Sequence, residues 1–329
     1  MRDIDQTLRA LNPVRTGEEA SQSRLDELLA RPRRAATARR PGRGRWAWTV
    51  TAAAVTAAVA GYLAVAPFGI VAQPALAATP APLRPQHTDR RAADVLEEIA
   101  DRVSGLPDTR PAPWQTEHFV TDGWSLSTLV DNVQVTSAVV PERRETWGDH
   151  DGSSRWKSES LTPQFQSERQ REIWEEAGAV GEEPVHSSGT SGPDATRASE
   201  PPTAVGDMRA WLAGGQKTGA GLLYEVVPER FQDHVFSPAG RAALLRVLAS
   251  ADGIVYAGAV KDRAGRGGEA FSLTDRFGGL PNKRTLVFDP ATGNLLSYEE
   301  QVLDDPGKLN VRPYSVIQYS TFLTAERLK

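Results

Sequence analysis

At 329 residues the chain has room for two domains of average size, but its net charge of −4 is unevenly spread: residues 1–45 hold 11 basic and 6 acidic side chains, residues 46–83 hold none, and residues 84–329 hold 27 basic and 36 acidic. The absence of Cys excludes disulfides, thiolate metal sites, a Cys nucleophile and the lipid-bearing Cys of a bacterial lipoprotein. The acidic balance beyond residue 84 disfavours nucleic acid as a partner.

Residues 1–45 form an arm. Ile4, Leu8 and Leu11 recur at helical spacing up to Asn12-Pro13, and Leu25, Leu28 and Leu29 make a second stripe that Pro32 ends. So short a segment cannot bury a core of its own. Two readings stay open: a solvated tail that fixes topology, or an arm that docks, with residues 1–30 contacting a cytosolic regulatory protein. Arg31, Arg33, Arg34, Arg39, Arg40, Arg43 and Arg45 then follow with no acidic residue among them.

Residues 46–71 are predicted to be a single transmembrane helix. The charge-free stretch 46–66 spans about 31 Å at helical rise, the thickness of a hydrocarbon core. Trp46 and Trp48 stand at its start, where amphipathic rings favour the headgroup boundary. The Arg cluster holds that end in the cytosol and directs the chain beyond residue 72 outward. The expected location is therefore the cell membrane, with lipid as a partner and an extracytoplasmic C-terminal domain. A signal peptide cleaved after Ala75-Leu76-Ala77 is the competing reading; the 45-residue arm before the apolar run favours an uncleaved anchor.

Residues 72–87, with Pro74, Pro80, Pro82 and Pro85, read as an extended linker. In the exported domain, 88–329, Thr88 is the predicted cap of a helix burying Ala92, Val95, Leu96, Ile99, Ala100 and Val103 and closing at Gly105-Leu106-Pro107. Strands are expected near 114–120, 124–130 and 133–140. A hairpin is expected around Gly148-Asp149-His150-Asp151-Gly152-Ser153, and a helix between Pro163 and Gly178. Residues 181–203 read as a mobile loop. A short helix over 205–212 and a second opened by Ser237-Pro238 precede five strands at 254–260, 269–274, 283–288, 295–303 and 315–323. Their short, turn-rich connections require antiparallel neighbours. The fold class is α+β: a curved antiparallel sheet with packed helices, preceded by one transmembrane helix. The sequence leaves open whether the two strand groups join.

The motifs supply no catalytic, cofactor-binding or metal-binding residue. His87, His118, His150, His186 and His234 are scattered and form no His-Glu-x-x-His pair. Asp149-His150-Asp151-Gly152 lacks the distal ligands of a calcium loop. Gly214-Gly215-Gln216-Lys217-Thr218-Gly219 departs from a phosphate loop at the Gly before Lys. Glu117 and His118, adjacent on a strand, point to opposite faces. Trp114, Trp124, Trp147 and Trp156 either pack a core or line an apolar groove open to a lipid or peptide chain.

The opening Met1-Arg2-Asp3-Ile4-Asp5 with Leu8-Arg9-Ala10-Leu11-Asn12-Pro13-Val14 resembles the start of a large uncharacterised family from high-GC Gram-positive bacteria. So do Val135-Thr136-Ser137-Ala138-Val139-Val140-Pro141, Arg144-Glu145-Thr146-Trp147 with Asp151-Gly152-Ser153, and Phe288-Asp289-Pro290-Ala291-Thr292-Gly293. The resemblance implies an arm, one span and an exported domain, sometimes encoded near extracytoplasmic-function sigma factors, with no established activity. More distantly, the element order resembles the half-barrel of periplasmic lipoprotein carriers and sigma-regulator sensor domains. The expected function is a membrane-anchored binding or sensing protein for an envelope ligand, regulatory rather than enzymatic. A tethered lipid or peptide carrier and an envelope hydrolase are the alternatives.

Overall fold

The structure, a computed structural model, describes residues 79–329 except 127–128, 132–133, 137–138, 166–167, 177–185, 278, 308 and 310. The expectations for residues 1–78 (arm, Arg cluster, Trp46, Trp48, span and cleavage site) lie outside the described residues. Among the described residues no helix is long and apolar enough to cross a membrane.

Helix α1, Ala92–Ser104, buries all six residues of its predicted stripe. Its N-cap is Arg91, not Thr88, and no side chain caps it. Thr88 instead accepts from the Arg90 N–H, outside the helix (3.4 Å). Strand β1, Thr116–Ser125, merges the two segments expected at 114–120 and 124–130. It runs through a bulge between Val120 and Thr121 because it is paired along both edges. A two-stranded ladder, β2 (Leu129–Asp131) with β3 (Gln134–Thr136), stands where a longer strand was expected. Strands β4 (Glu142–Asp149) and β5 (Ser154–Ser160) form the predicted hairpin, followed by helix α2, Glu168–Glu176.

The loop expected at 181–203 contains strand β6, His186–Ser191, laddered to β5. Its Ser/Gly/Thr sequence carries no alternating apolar signal, so only the pairing reveals it. Helix α3, Val205–Ala213, is closed by Gly214 in the left-handed region. Helix α4, Ala220–Asp233, is not expected from the local sequence pattern. It contains Pro228, which lacks an N–H, yet it buries Leu222, Leu223, Tyr224, Val227 and Phe231. Helix α5, Pro238–Ala249, begins as expected: Ser237 Oγ accepts from the Gly240 N–H (3.0 Å), and Leu244, Leu245 and Leu248 are buried.

The final strands are β7 (Val255–Lys261), β8 (Gly267–Asp275), β9 (Asn282–Phe288), β10 (Leu295–Val302) and β11 (Val316–Leu328). Strand β11 extends five residues past its predicted end because it pairs with β1 from Gln318 to Leu328. That pairing joins both strand groups into one nine-stranded antiparallel sheet, ordered β6-β5-β4-β1-β11-β10-β9-β8-β7 and not closed into a barrel.

The principal core lies on one face. Helices α1, α3, α4 and α5 enclose Leu96, Leu223, Leu245, Phe271 and Phe288, and α4 reaches across β8 to β11 and β1. Each such side chain contributes roughly 1.5–3 kcal/mol by burial. The opposite face of β7–β10 holds a smaller cluster of Val260, Ala270, Val287 and Leu296. Leu83 packs into it, so the described end of the predicted linker is bound to the sheet. Here residues 79–87 are called the strap.

Candidate functional site

The half of the sheet formed by β4, β5 and β6 projects as a wing beyond the helical layer. Cross-strand register places His118 of β1, Trp147 of β4 and Arg155 of β5 on one surface, the face away from the helices. The His118 ring stacks on Trp147, with centroids 5.4 Å apart and planes at 19°. Its Nε2 lies 2.8 Å from Glu145 Oε1 and its Nδ1 lies 3.2 Å from Glu326 Oε1, tying β1 to β4 and β11. Lys157 Nζ reaches the other oxygen of Glu145 at 2.5 Å, and both Lys157 and the Arg155 guanidinium lie 5.2 Å from the Trp147 ring centre. The Lys157 bond, reinforced by His118, holds the Glu145 carboxyl below its ordinary range.

Next to this cluster is an open cleft of about 480 Å³, lined by Arg143, Glu145, Lys157, Glu159, His186 and Ser188. That is room for a small ligand. Arg143 is held by a two-pronged bond to Asp122 (2.7 Å each), so the cleft's cationic wall is preorganised. Glu159, His186 and Ser188 are exposed toward solvent. The lining offers donors and acceptors of both signs on a rigid ladder, which suits binding of a polar ligand. Among the described residues no group of three or more His, Asp or Glu is arranged to hold a metal ion.

The helix-side surface near β1 carries an ionic chain whose Arg327–Glu117 pair is buried and whose Glu200 end is exposed. Arg327 donates from Nε to Glu117 Oε1 (2.8 Å) and from Nη2 to Glu200 Oε2 (2.7 Å), beneath the Trp114 ring at 4.3 Å. Trp114 Nε1 donates to the same Glu200 (3.2 Å). Burial pushes Glu117 up to about 7 against the pull of Arg327, raises Asp233, and drives His234 down to about 3 with help from Arg230. Two raised carboxyls facing one space have the signature of acid–base chemistry. The space they line together with Arg197 measures about 20 Å³, enough for a single water and too small for a substrate. The network therefore reads as a structural clasp.

The four indoles do not converge on one groove. Trp147 faces away from the helices. Trp156, opposite Thr146 in the ladder, lies on the other surface under the Arg144 guanidinium at 4.2 Å. Trp114 covers Arg327, and Trp124 is buried with Val139, Val316 and Tyr319. Alternation along strands assigns faces by parity, so aromatic content alone does not predict a shared surface. The expected separation of Glu117 and His118 is observed, one bonded to Arg327 and the other to Glu145. The wing cluster itself escaped sequence reasoning. The one local signal was the alternation of Arg143, Glu145 and Trp147 with Arg155 and Lys157 on either side of the hairpin turn. No family model matches the chain, and no curated protein matches it.

Proposed function

We propose that this chain is a single-pass membrane protein whose exported α+β domain binds or senses a polar envelope ligand on its β4–β6 wing. The observation that carries the reading is the strap. The chain that follows the expected span is hydrogen-bonded, at Leu83 and Gln86, into the same sheet that bears the wing, so strain at the sheet reaches the tether through covalent and hydrogen-bonded links. In this reading the Leu stripes of residues 1–30 report that state to a cytosolic regulatory protein. A lipid carrier would need a chain-shaped apolar cavity between helices and sheet. That centre is filled by Phe231, stacked on Phe236 and set edge-on to Phe288 and Phe322.

A reporter enzyme active only outside the cytosol, fused after Lys329, tests the topology together with mass spectrometry of the membrane fraction. The expected result is external activity with residues 1–45 still attached. A fusion that is made but shows no reporter activity, or a mature chain starting at Ala78, overturns the reading.

A further inference from the structure

The strap crosses the face of the sheet opposite the helices and turns round the β7 edge before α1 begins. One ion pair anchors it. The Arg263 guanidinium donates both to the Glu299 carboxylate and to the Ala81 carbonyl (3.0 Å), while Glu299 Oε1 accepts the Leu83 N–H (3.0 Å). The pair thus supplies one acceptor and one donor to the strap backbone, and the Leu83 side chain fills the Val260, Ala270, Val287 and Leu296 cluster. A third bond closes the crossing, from the Gln86 N–H to the Ala259 carbonyl (2.8 Å). The recognition elements are backbone amides and one apolar side chain, the chemistry by which a groove takes an extended polypeptide.

Two further observations mark this floor as a binding groove rather than inert packing. Ser297 and Thr321 stand directly opposite each other in the β10–β11 ladder, two positions from Glu299, and are 1% and 2% exposed. Among the described residues neither hydroxyl has a hydrogen-bond partner, and neither does Arg263 Nε. A buried polar group left unpaired is costly, so the floor retains capacity for more polar contacts than the strap satisfies. The anchor also touches the remainder of the sheet. The Arg263 guanidinium lies 4.4 Å over the Tyr319 ring, which packs on Trp124 of β1.

We propose that residues 79–86 are a detachable latch seated in an extended-peptide groove, with the Arg263–Glu299 pair as its bolt. Detachment bares the groove and lengthens the tether by about 26 Å, at roughly 3.3 Å for each freed residue. The latch rests on residues 79–329 alone; only its role in signalling rests on the reading above.

Amide hydrogen exchange on the full chain in nanodiscs tests it. In the natural sequence the Leu83 and Gln86 amides are expected to be protected. Glu299→Gln, Arg263→Ala and Leu83→Asp should each lower that protection about tenfold or more, leaving the β9 amides of Leu286 and Val287 unchanged. The last variant alters the strap itself, so a loss of sheet folding in the other two does not blunt the test. The chain has no Cys, so Gln86→Cys with Ala259→Cys introduces the only thiols and locks the latch. A fluorescent peptide of residues 79–87 should then bind the Leu83→Asp protein and not the oxidised, locked one. Unprotected strap amides in the natural sequence, protection indifferent to all three substitutions, or equal peptide binding by the opened and locked proteins would overturn the proposal. Each of these results is separable from the reporter fusion, which reads topology only.

Discussion

Gly258 is the point where the strap passes over the β7 edge, and Gly258→Ala tests that crossing. The residue sits at φ +113°, a region that side-chain-bearing residues avoid, at the bulge between Tyr256 and Gly258. A Cβ placed there would lie 1.7 Å from the Gln86 carbonyl oxygen and 2.6 Å from its carbon. Both obstacles are backbone, so the strap must retreat by more than an ångström. Backbone strain of roughly 1–3 kcal/mol adds to loss of the Gln86–Ala259 bond, about 1 kcal/mol. Part of the Leu83 burial is lost as well, giving a total near 3 kcal/mol. Gly265→Ala is the internal control. That residue also has positive φ (+81°), but an added Cβ meets no heavy atom within 4 Å, so the cost is strain alone, about 1 kcal/mol. For a domain of this size the two substitutions should lower the thermal midpoint by roughly 6–12 °C and 2–4 °C respectively, followed by tryptophan fluorescence of the full chain in detergent. Equal shifts for the two variants would refute a strap lying on Gly258.

Other substitutions probe the clasp, the cap and the core. Glu117 is held near 7 when folded against an ordinary 4.5, so folding takes up a proton between those values. Its contribution to stability is complete below pH 4.5 and is lost as pH rises through 7, at about 1.4 kcal/mol per pH unit, roughly 3 kcal/mol in all. The difference in unfolding free energy between the natural sequence and Glu117→Gln should therefore fall steadily from pH 4.5 to 7; a difference flat across that range would mean the carboxyl titrates normally. Ser237→Ala removes the acceptor for the Gly240 N–H and should cost about 1 kcal/mol, with Ser237→Asp restoring most of it in the same denaturation assay. Phe288→Ala empties a fully buried position facing Phe231 and Phe271 and should cost about 3–5 kcal/mol; a loss below 1 kcal/mol would mean the aromatic centre is loosely packed.

Local periodicity was enough to identify α1 with its entire buried stripe, the Ser237-Pro238 start of α5, the β4–β5 hairpin and the β7–β11 meander. Each depends on residues within one or two turns of each other. The antiparallel α+β class followed from the short connections between strands. Where a distant partner outweighs the local signal, the sequence misled or was silent. Helix α4 carries Pro228 and follows a Gly-rich entry, and it stands because Leu223, Tyr224, Val227 and Phe231 bury themselves in the core shared with the sheet. Strand β6 has no apolar alternation and exists through its ladder to β5. The linker's composition carries no sign of docking, because the docking of its described end depends on Arg263 and Glu299, 182 and 216 positions away from the strap groups they bind.

The wing and the fate of the four tryptophans follow the same division. Residue type placed aromatic and charged side chains on strands, and alternation predicted that Glu117 and His118 part company. Which of those side chains meet was decided by the register of β1 against β4 and β11 and by the Val120/Thr121 bulge that shifts it. A chain carries its helical and strand periods within a few residues, whereas a shared surface depends on which distant strands become neighbours, and packing alone selects those.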